Sequence, residues 1–576
     1  LHGMLRVTSG SEGMRWYTDD GQTFLPKADT AYRLFMEVPA TPATGCSANL
    51  PMGDPAAADT FVSAYAFSAK EHGINVLRAL AFGNWAYSRN EYDEPRTCFT
   101  EDWKSQRFVN SRVEDCLPDL SLYFSNSPNG SSTNLFDGGP EHLAIQPGLY
   151  PAGYYPNLES FQRTDRKLKL LLNQYPSMYI QVLLVTEPIN NCRDTRWGDI
   201  NGTLRTQLWQ NMIARWAAFP NVFWSVSNDL GDTLTPDPWH GNNVYPNNVA
   251  LANEIGCYWM GGSTCTPQTG NDPWRASRPM SMGHLRFLVD SSIDKLWHTY
   301  ITSYTYADIS AQEMDGTMYL PLAWNRSYPA APKPVYNTED MYEGYDSQIQ
   351  DISVRFAPYF FRKLFWSYLL SGGGATYGSN TTWSMEHVYD GGTYTVPPTP
   401  GATPTVLSLT GLNSIGLIDP ILHQARIDLA RLSPHDELIP QATPGSTWTE
   451  YERAQVAGND QEMLAYIPST RRDPPNQEPG YLYRRKAEES QTTRSVTVDM
   501  TTYPSGTYRV TWYEPATGDV LNAGTIPGNP GTGSYRPTLT PPPNAGDVVL
   551  HISSRCESPN ACQPMDADPP TSTPTP

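Results

Sequence analysis

The sequence predicts a (β/α)8 TIM barrel, an α/β fold, followed by a C-terminal antiparallel β-sandwich domain. Three observations carry that prediction. Apolar strand-like runs alternate with helical patterns over residues 1–433. Two of those runs, NVFWSVSND (221–229) and PVYNTE (334–339), stop on a carboxylate. From residue 434 to 556 the pattern changes to short strands broken by Gly, Pro and Asn, a sandwich signature.

The elements follow in order. MRWYTDDGQTFLPKADT (14–30) holds an Asp-Asp-Gly turn and reads as a hairpin leading into strand one, which ends near Asp29. A helical segment from Asp59 to His72 stops at Gly73, and INVLRALAFG (74–83) is strand two. Residues 84–156 are rich in Asn, Ser, Gly and Pro with little periodicity, the composition of a long insertion at the rim that shapes a cleft. Helix 157–174 precedes strand three, YIQVLLVTEP, and helix 203–218 precedes strand four at 221–229. PMSMGHL (279–285) and HTYITSYTY (298–306) are the candidates for strands five and six. PVYNTE is strand seven, and a helical pattern from Ile349 to Leu370 leads into strand eight, GGGATYGSNTTW. The glycines there mark a strand that approaches a neighbour or ligand closely. A helix near Leu417 to Leu432 closes the barrel domain; EMLAYIPS, RSVTVDM, TYRVTWYEPATGDV and DVVLHISS are the sandwich strands. Residues 557–576 are a Pro/Thr-rich tail that cannot bury a core. There is no repeat with a period of 20–50 residues, which argues against a solenoid or propeller.

In such a barrel every strand delivers its last residues to one rim, so Asp229 and Glu339, 110 positions apart, can face one another. Glycosidic bond cleavage needs that pair: one carboxyl group protonates the leaving oxygen, and the other attacks the anomeric carbon or activates water. The rival acids are Asp232 beside Asp229, and Asp340 and Glu343 beside Glu339. Asp29, Arg78, Asn228, Tyr304, Tyr306, Tyr377, Asn380 and Trp383 stand at or near strand ends and are candidate sugar contacts. His284 and His298 read more readily as structural histidines.

Other chemistries find no footing. The net charge of −19 leaves no basic footprint for nucleic acid. No run of 18 apolar residues exists to span a bilayer. There is no DxDxDG loop, HExxH, P-loop, GxGxxG unit or GxSxG elbow, and a carboxylate pair calls for no metal or cofactor. A collagenase lacks both a zinc motif and a nucleophile triad here. A non-catalytic carbohydrate-binding or structural surface protein that kept the barrel is the alternative from a different class.

The 16 Trp and 34 Tyr suit a sugar-binding cleft, since their rings are apolar bodies with polar tips. Eight cysteines, an even count, include the close pairs Cys257 with Cys265 and Cys556 with Cys562, and Cys98 with Cys116; elimination leaves Cys46 with Cys192. That usage, the sequons at Asn129, Asn201, Asn325 and Asn380, and a start without a signal segment lead us to expect a mature, secreted or cell-surface protein with a polysaccharide or oligosaccharide substrate.

Several runs together carry a family resemblance: GQTFLPKADTAYRLF, NVFWSVSND, KPVYNTEDMYEG, FRKLFWSYLLSGGGATYGSNTTW and TYRVTWYEPATGDV. In order and spacing, over roughly residues 15 to 553, they resemble the apiosidase-like glycoside hydrolases, which join a clan A barrel to a β-sandwich often labelled collagen-binding. The resemblance implies a retaining mechanism, with Asp229 as acid/base after strand four and Glu339 as nucleophile after strand seven. Many clan A relatives have Asn-Glu where this chain has Asn228-Asp229, but the apiosidase-like group tends to carry Asp there. The group also often has two glycines before that Asp. Ser227-Asn228 departs from this, which bears on substrate identity more than on chemistry.

Overall fold

Helix stops and close-packed glycines set the frame of the first unit. In this computed structural model the described residues are 3–7, 16–32, 34–35, 55–81, 124–125, 155–156, 158–184, 202–226, 246–260, 278–281, 283, 295, 297–304, 333–340, 342–344, 351–353, 357–379, 410–442, 453–469, 494–543 and 545–554. The chain divides into two units, Leu1–Gly416 with Gly480–Ala487, and Leu417–Pro479 with Glu488–Pro576.

The first unit opens with three antiparallel strands, β1 (Leu5–Val7), β2 (Trp16–Thr18) and β3 (Thr23–Phe24). The expected Asp-Asp-Gly turn joins β2 to β3, with Gly21 at φ +80° and Thr18 N donating to Gln22 O (2.9 Å). Barrel strand one is β4 (Lys27–Asp29). Helix α1 (Pro55–Glu71) follows and stops at Gly73, whose φ of +76° lets Ile74 N turn back onto Ala69 O (3.0 Å). Strand two is β5 (Val76–Leu80). Within the expected insertion, β6 (Phe124–Ser125) pairs with β7 (Tyr155–Pro156). The helix–strand alternation then resumes with α2 (Leu158–Gln174), β8 (Tyr179–Leu183), α3 (Gly202–Trp216), β9 (Val222–Ser225), α4 (Pro246–Met260), β10 (Met280–Ser281), β11 (Ile301–Tyr304) and β12 (Val335–Glu339). After β12 come β13 (Tyr342–Gly344) and its parallel partner β14 (Asp351–Ser353), α5 (Ala357–Leu370), β15 (Ala375–Tyr377) and α6 (Thr410–Ile415).

Six strands form one parallel sheet in the order β10-β9-β8-β5-β4-β15, and β11 pairs in parallel with β12. Backbone bonds run between the two sets. Thr299 N donates to Met280 O (2.8 Å), and Asn337 N donates to Gly374 O (2.9 Å). This curled parallel sheet fits a TIM barrel. Strand eight approaches strand seven so closely that a methyl carbon on Gly373 would lie 2.1 Å from Val335 O, which is why the run ahead of β15 is glycine. The expected helix from Ile349 begins only at Ala357, because residues 351–353 pair with β13 instead. Among the described residues no helix is long and apolar enough to cross a membrane.

Side-chain alternation along the strands layers the interior. Ala28, Val76, Tyr179, Phe223, Tyr300 and Tyr336 share one cluster with Leu5, Trp16 and Phe24, so the N-terminal sheet floors the strands. Trp16 meets Tyr300, Phe223 and Tyr336 at ring-centroid distances of 4.8, 5.9 and 6.0 Å. Replacing Trp16 with Ala is therefore expected to cost about 3–5 kcal/mol in urea unfolding, through lost burial and the cavity left behind. Two residues further along each strand the layer is polar. Gln181 Nε2 donates to Tyr300 Oη (2.7 Å), which donates to Trp224 O (2.7 Å), and Ser225 lies 3.3 Å from Ser281.

The second unit begins with α7 (Ile418–Ala425), which ends seven residues earlier than the sequence pattern suggests. Arg426 takes the left-handed conformation there, at φ 54°. Its six-stranded antiparallel sheet runs β16 (Ser433–Pro434), β17 (Gln455–Gly458), β18 (Glu462–Ile467), β23 (Val548–Ser553), β20 (Thr507–Tyr513), β21 (Val520–Pro527). A second antiparallel pair joins β19 (Val496–Thr497) to β22 (Thr538–Leu539). Met463, Val510, Trp512 and Leu550 of the large sheet share a core with Val496, Val498 and Met500, as alternating strands of a sandwich should.

Candidate active site

Glu339 ends β12 and is 3% exposed. Strict alternation would not deliver it inward: Tyr336 faces the interior cluster, so Thr338 would share its face and Glu339 would point out. A bulge corrects the phase. In the pairing with β11, Ser303 registers with Asn337 but Tyr304 with Glu339, leaving Thr338 as the extra residue. Such a bulge re-aims the side chain that follows it, and here it turns the Thr338 carbonyl onto Arg78, whose Nη1 donates to it at 2.7 Å.

The side chains around Glu339 come from three places on the chain. Tyr32, just past β4, donates to Oε2 at 2.6 Å, and Tyr342 at the start of β13 donates to Oε1 at 2.5 Å. Arg78 of β5 is fully buried and lies 3.7 Å from Oε2; its Nη1 donates to the Tyr32 hydroxyl, which thus stands between guanidinium and carboxylate. Leu80 N donates to Tyr32 O (3.0 Å), tying the Tyr32 segment to the end of strand two. Two hydroxyl donors and a guanidinium supply what a buried negative charge requires. The carboxylate is thus oriented at the C-terminal end of parallel strands, where a reacting group is expected.

The two rival acids beside Glu339 have other partners. Asp340 accepts from Asn337 Nδ2 at 3.1 Å. Glu343 is fully buried and accepts from Tyr377 Oη (2.7 Å), Thr410 Oγ1 (3.0 Å) and the Gly411 backbone N (3.0 and 3.1 Å to its two oxygens). Burial raises the Glu343 pKa above the ordinary 4.5, and those hydrogen bonds pull against the rise without cancelling it. With a folded-state value above the unfolded one, its contribution is fully present below pH 4.5 and is lost as pH rises through the raised value. The urea-unfolding stability of wild type relative to Glu343→Gln should therefore improve as pH falls from neutral toward 4.5. A constant gap would contradict the shift.

Arg78 lies within the site, as its strand position suggests, whereas Asp29 and Tyr377 face the helices. Ala28 occupies the interior phase of β4, so Asp29 points the other way and accepts from Tyr65 Oη on α1. Tyr377 is in register with Asp29 and packs on Phe361 of α5 at 4.6 Å. Burial, and after it the Glu343 charge, hold its hydroxyl well above the ordinary 10, so it acts as a neutral donor. His298 is buried and stacks on Trp297 (5.3 Å). Tyr304 is placed by its backbone, in register with Glu339. Asp229, Asn228, Tyr306, Asn380, Trp383, Asp232 and His284 lie outside the described residues, as do all the cysteines except Cys257 of α4, which is disulfide-bonded. Sequence reasoning passed over Tyr32 and Tyr342. The available signal was their spacing, each three residues beyond a strand-end acid, Asp29 and Glu339.

A family model described as "Apiosidase-like, catalytic domain" matches residues 11–425. A glycoside hydrolase family 5 structure from Bacteroides vulgatus ATCC 8482 aligns with a TM-score of 0.57 at 14% identity, covering 97% of this chain and 95% of its own. A second structure, described as a glycoside hydrolase, gives 0.56 at 13% identity, covering 96% and 97%. At these identities both show a shared fold and nothing finer. No curated protein sequence matches the chain significantly. The family match takes in every parallel strand of the first unit and the carboxylate site, and by it this chain belongs to the apiosidase-like family, of whose catalytic domain residues 11–425 are an example.

Proposed function

We propose that the chain is a secreted glycoside hydrolase that cleaves a polysaccharide or its side chains by a retaining double displacement, with the parallel strands closed into a ring. The observation that carries the reading is the state of Glu339: buried at the end of strand seven, both oxygens held by tyrosine hydroxyls, with a guanidinium behind one of them. A carboxylate so fixed is suited to attack, and Glu339 is the nucleophile. Asp229 is the acid/base, the acid on which the strand-four run NVFWSVSND stops.

In the first step a Glu339 oxygen bonds to the anomeric carbon while the bond to the leaving oxygen breaks, and that oxygen takes the Asp229 proton. In the second, Asp229 removes a proton from water, the water oxygen bonds to the anomeric carbon, and Glu339 leaves as carboxylate. Retention requires the two carboxyl groups to lie about 5 to 5.5 Å apart, against about 6.5 to 9.5 Å for inversion. Asn228, Tyr304, Tyr306, Asn380 and Trp383 are the proposed sugar contacts. Apiose side chains of pectin and arabinofuranosides are the substrates to try first. Cys257 pairs with Cys265 in this reading, which belongs to an oxidising compartment.

The test is hydrolysis of a panel of plant and microbial polysaccharides and aryl glycosides by wild type, Asp229→Asn and Glu339→Gln. Wild type should release sugar and both variants should not. Equal binding by all three with no cleavage by any would make the chain a binding protein instead.

A further inference from the structure

The two oxygens of Glu339 are held from different segments of the chain. Oε2 is bonded by Tyr32, whose hydroxyl is itself bonded by the fully buried Arg78, so that side has a second support. Oε1 is bonded by Tyr342, which lies on the connection after β12 rather than on the barrel strands. What steadies Tyr342 is its neighbour. Glu343 N donates to Gly378 O (2.9 Å), and its carboxylate gathers Tyr377, Thr410 and the Gly411 N–H, which pins β13 against strand eight and α6. Gly378 completes the seat: a methyl carbon there would stand 3.0 Å from both Cδ1 and Cε1 of the Tyr342 ring. Gly411 is matched to the carboxylate in the same way, a methyl carbon there falling 2.5 Å from Glu343 Oε2. A fully buried acid held by neutral donors is a costly way to pack a wall, and an apolar side chain of similar volume would serve stability as well or better.

We propose that Tyr342 is a catalytic residue that holds Oε1, the attacking oxygen of Glu339, and that Glu343 is its positioning residue, acting through the turn between β12 and β13. The proposal rests on the reading of Glu339 as the nucleophile. As the bond from Oε1 to the anomeric carbon forms and the leaving oxygen departs with its electron pair, Oε1 loses its negative charge and the Tyr342 hydroxyl is released toward the sugar. When water displaces the ester the charge returns to Oε1 and Tyr342 rebinds it. Tyr32 and Arg78 keep Oε2 in place throughout. Among the described residues, Arg78, Tyr32 and Tyr342 face Glu339, with Asp340 next to it in sequence, and Tyr377 faces Glu343 with Asp29 behind it.

The decisive experiment follows Glu339 itself, by NMR titration of glutamate carboxyl carbons in the full chain labelled with carbon-13, with the resonance assigned by its loss in Glu339→Gln. Tyr342→Phe should move the Glu339 midpoint up by about one pH unit, the size of a hydrogen bond to a charged group. Glu343→Leu, which removes the oxygens that Tyr377, Thr410 and Gly411 bond, should move it up by less, and the double variant should match Tyr342→Phe alone, because Glu343 acts only through Tyr342. The acid limb of the kcat/KM profile on whichever aryl glycoside is cleaved should follow the same order. A Glu339 midpoint unmoved by Glu343→Leu, or shifts that add in the double variant, would reduce Glu343 to a packing group and overturn the proposal; so would a midpoint unmoved by Tyr342→Phe. If Glu343→Leu does not fold, Thr410→Val removes one of its donors and should give a smaller upward shift, with no shift counting against the proposal. If no glycoside is cleaved, the hydrolase reading fails while the titration still decides the hydrogen-bond roles.

Discussion

Glu339→Ala should lose at least about a thousandfold in kcat on an activated aryl glycoside, because in the proposed double displacement it removes the group that forms the covalent intermediate and not merely a contact to it. Added azide should then restore turnover. The ion fits the space left by the carboxylate and attacks the anomeric carbon once, so the product is a glycosyl azide of configuration opposite to the substrate. Asp229→Ala should behave differently. An aryl group with a good leaving oxygen needs little protonation, so the first step survives and the glycosyl-enzyme accumulates; azide then intercepts it to give a product of the substrate's own configuration. The two stereochemical outcomes assign the roles independently of any distance. Wild-type turnover in the Asp229 variant would transfer the acid/base role, with Asp232 the next to test. Formation of no azide adduct by either variant would favour a single inverting step.

The sequence marked Glu339 as a strand-end acid in PVYNTE, and the structure puts that residue at the end of β12. It could not mark how Glu339 reaches the interior. Tyr336 sets the inward phase, and an extra residue at Thr338 resets it; a bulge is a property of pairing with β11 and leaves no trace in the six letters of the run. The same phase problem explains Asp29 and Tyr377. Both end strands, yet both sit one step out of the interior phase, and a strand-end position names a level in the barrel without naming a face. Glycine was more legible. The run before β15 reads as a close approach, and Gly373 does meet Val335 O. The tyrosines on Glu339 were least legible: each is one of 34, and their role depends on chain segments that meet only after folding, Tyr32 being 307 positions from the acid it binds.

Arg78→Met should cost roughly 3–5 kcal/mol of unfolding free energy in urea, since it removes one member of a buried charged pair and strands the other. Arg78 is fully buried, Glu339 is 3% exposed, and their 3.7 Å separation is too long for a direct hydrogen bond, so the coupling runs largely through the Tyr32 hydroxyl. Methionine approximates the length of the arginine stem and limits the cavity. The loss therefore reports charge and hydrogen bonding, including the Thr338 carbonyl that Arg78 also serves. Arg78→Lys should recover little. A single ammonium on a flexible stem lacks the planar fork with which the guanidinium reaches the Tyr32 hydroxyl and the Thr338 carbonyl from one position. The informative variant is the double one, Arg78→Met with Glu339→Gln. With the carboxylate neutralised there is no stranded charge, so at least half of the stability lost in Arg78→Met should return, a favourable coupling between residues that share no direct hydrogen bond. Additive losses would mean that Arg78 supports the wall through Thr338 alone, and that the charge on Glu339 is balanced by its two tyrosines without it.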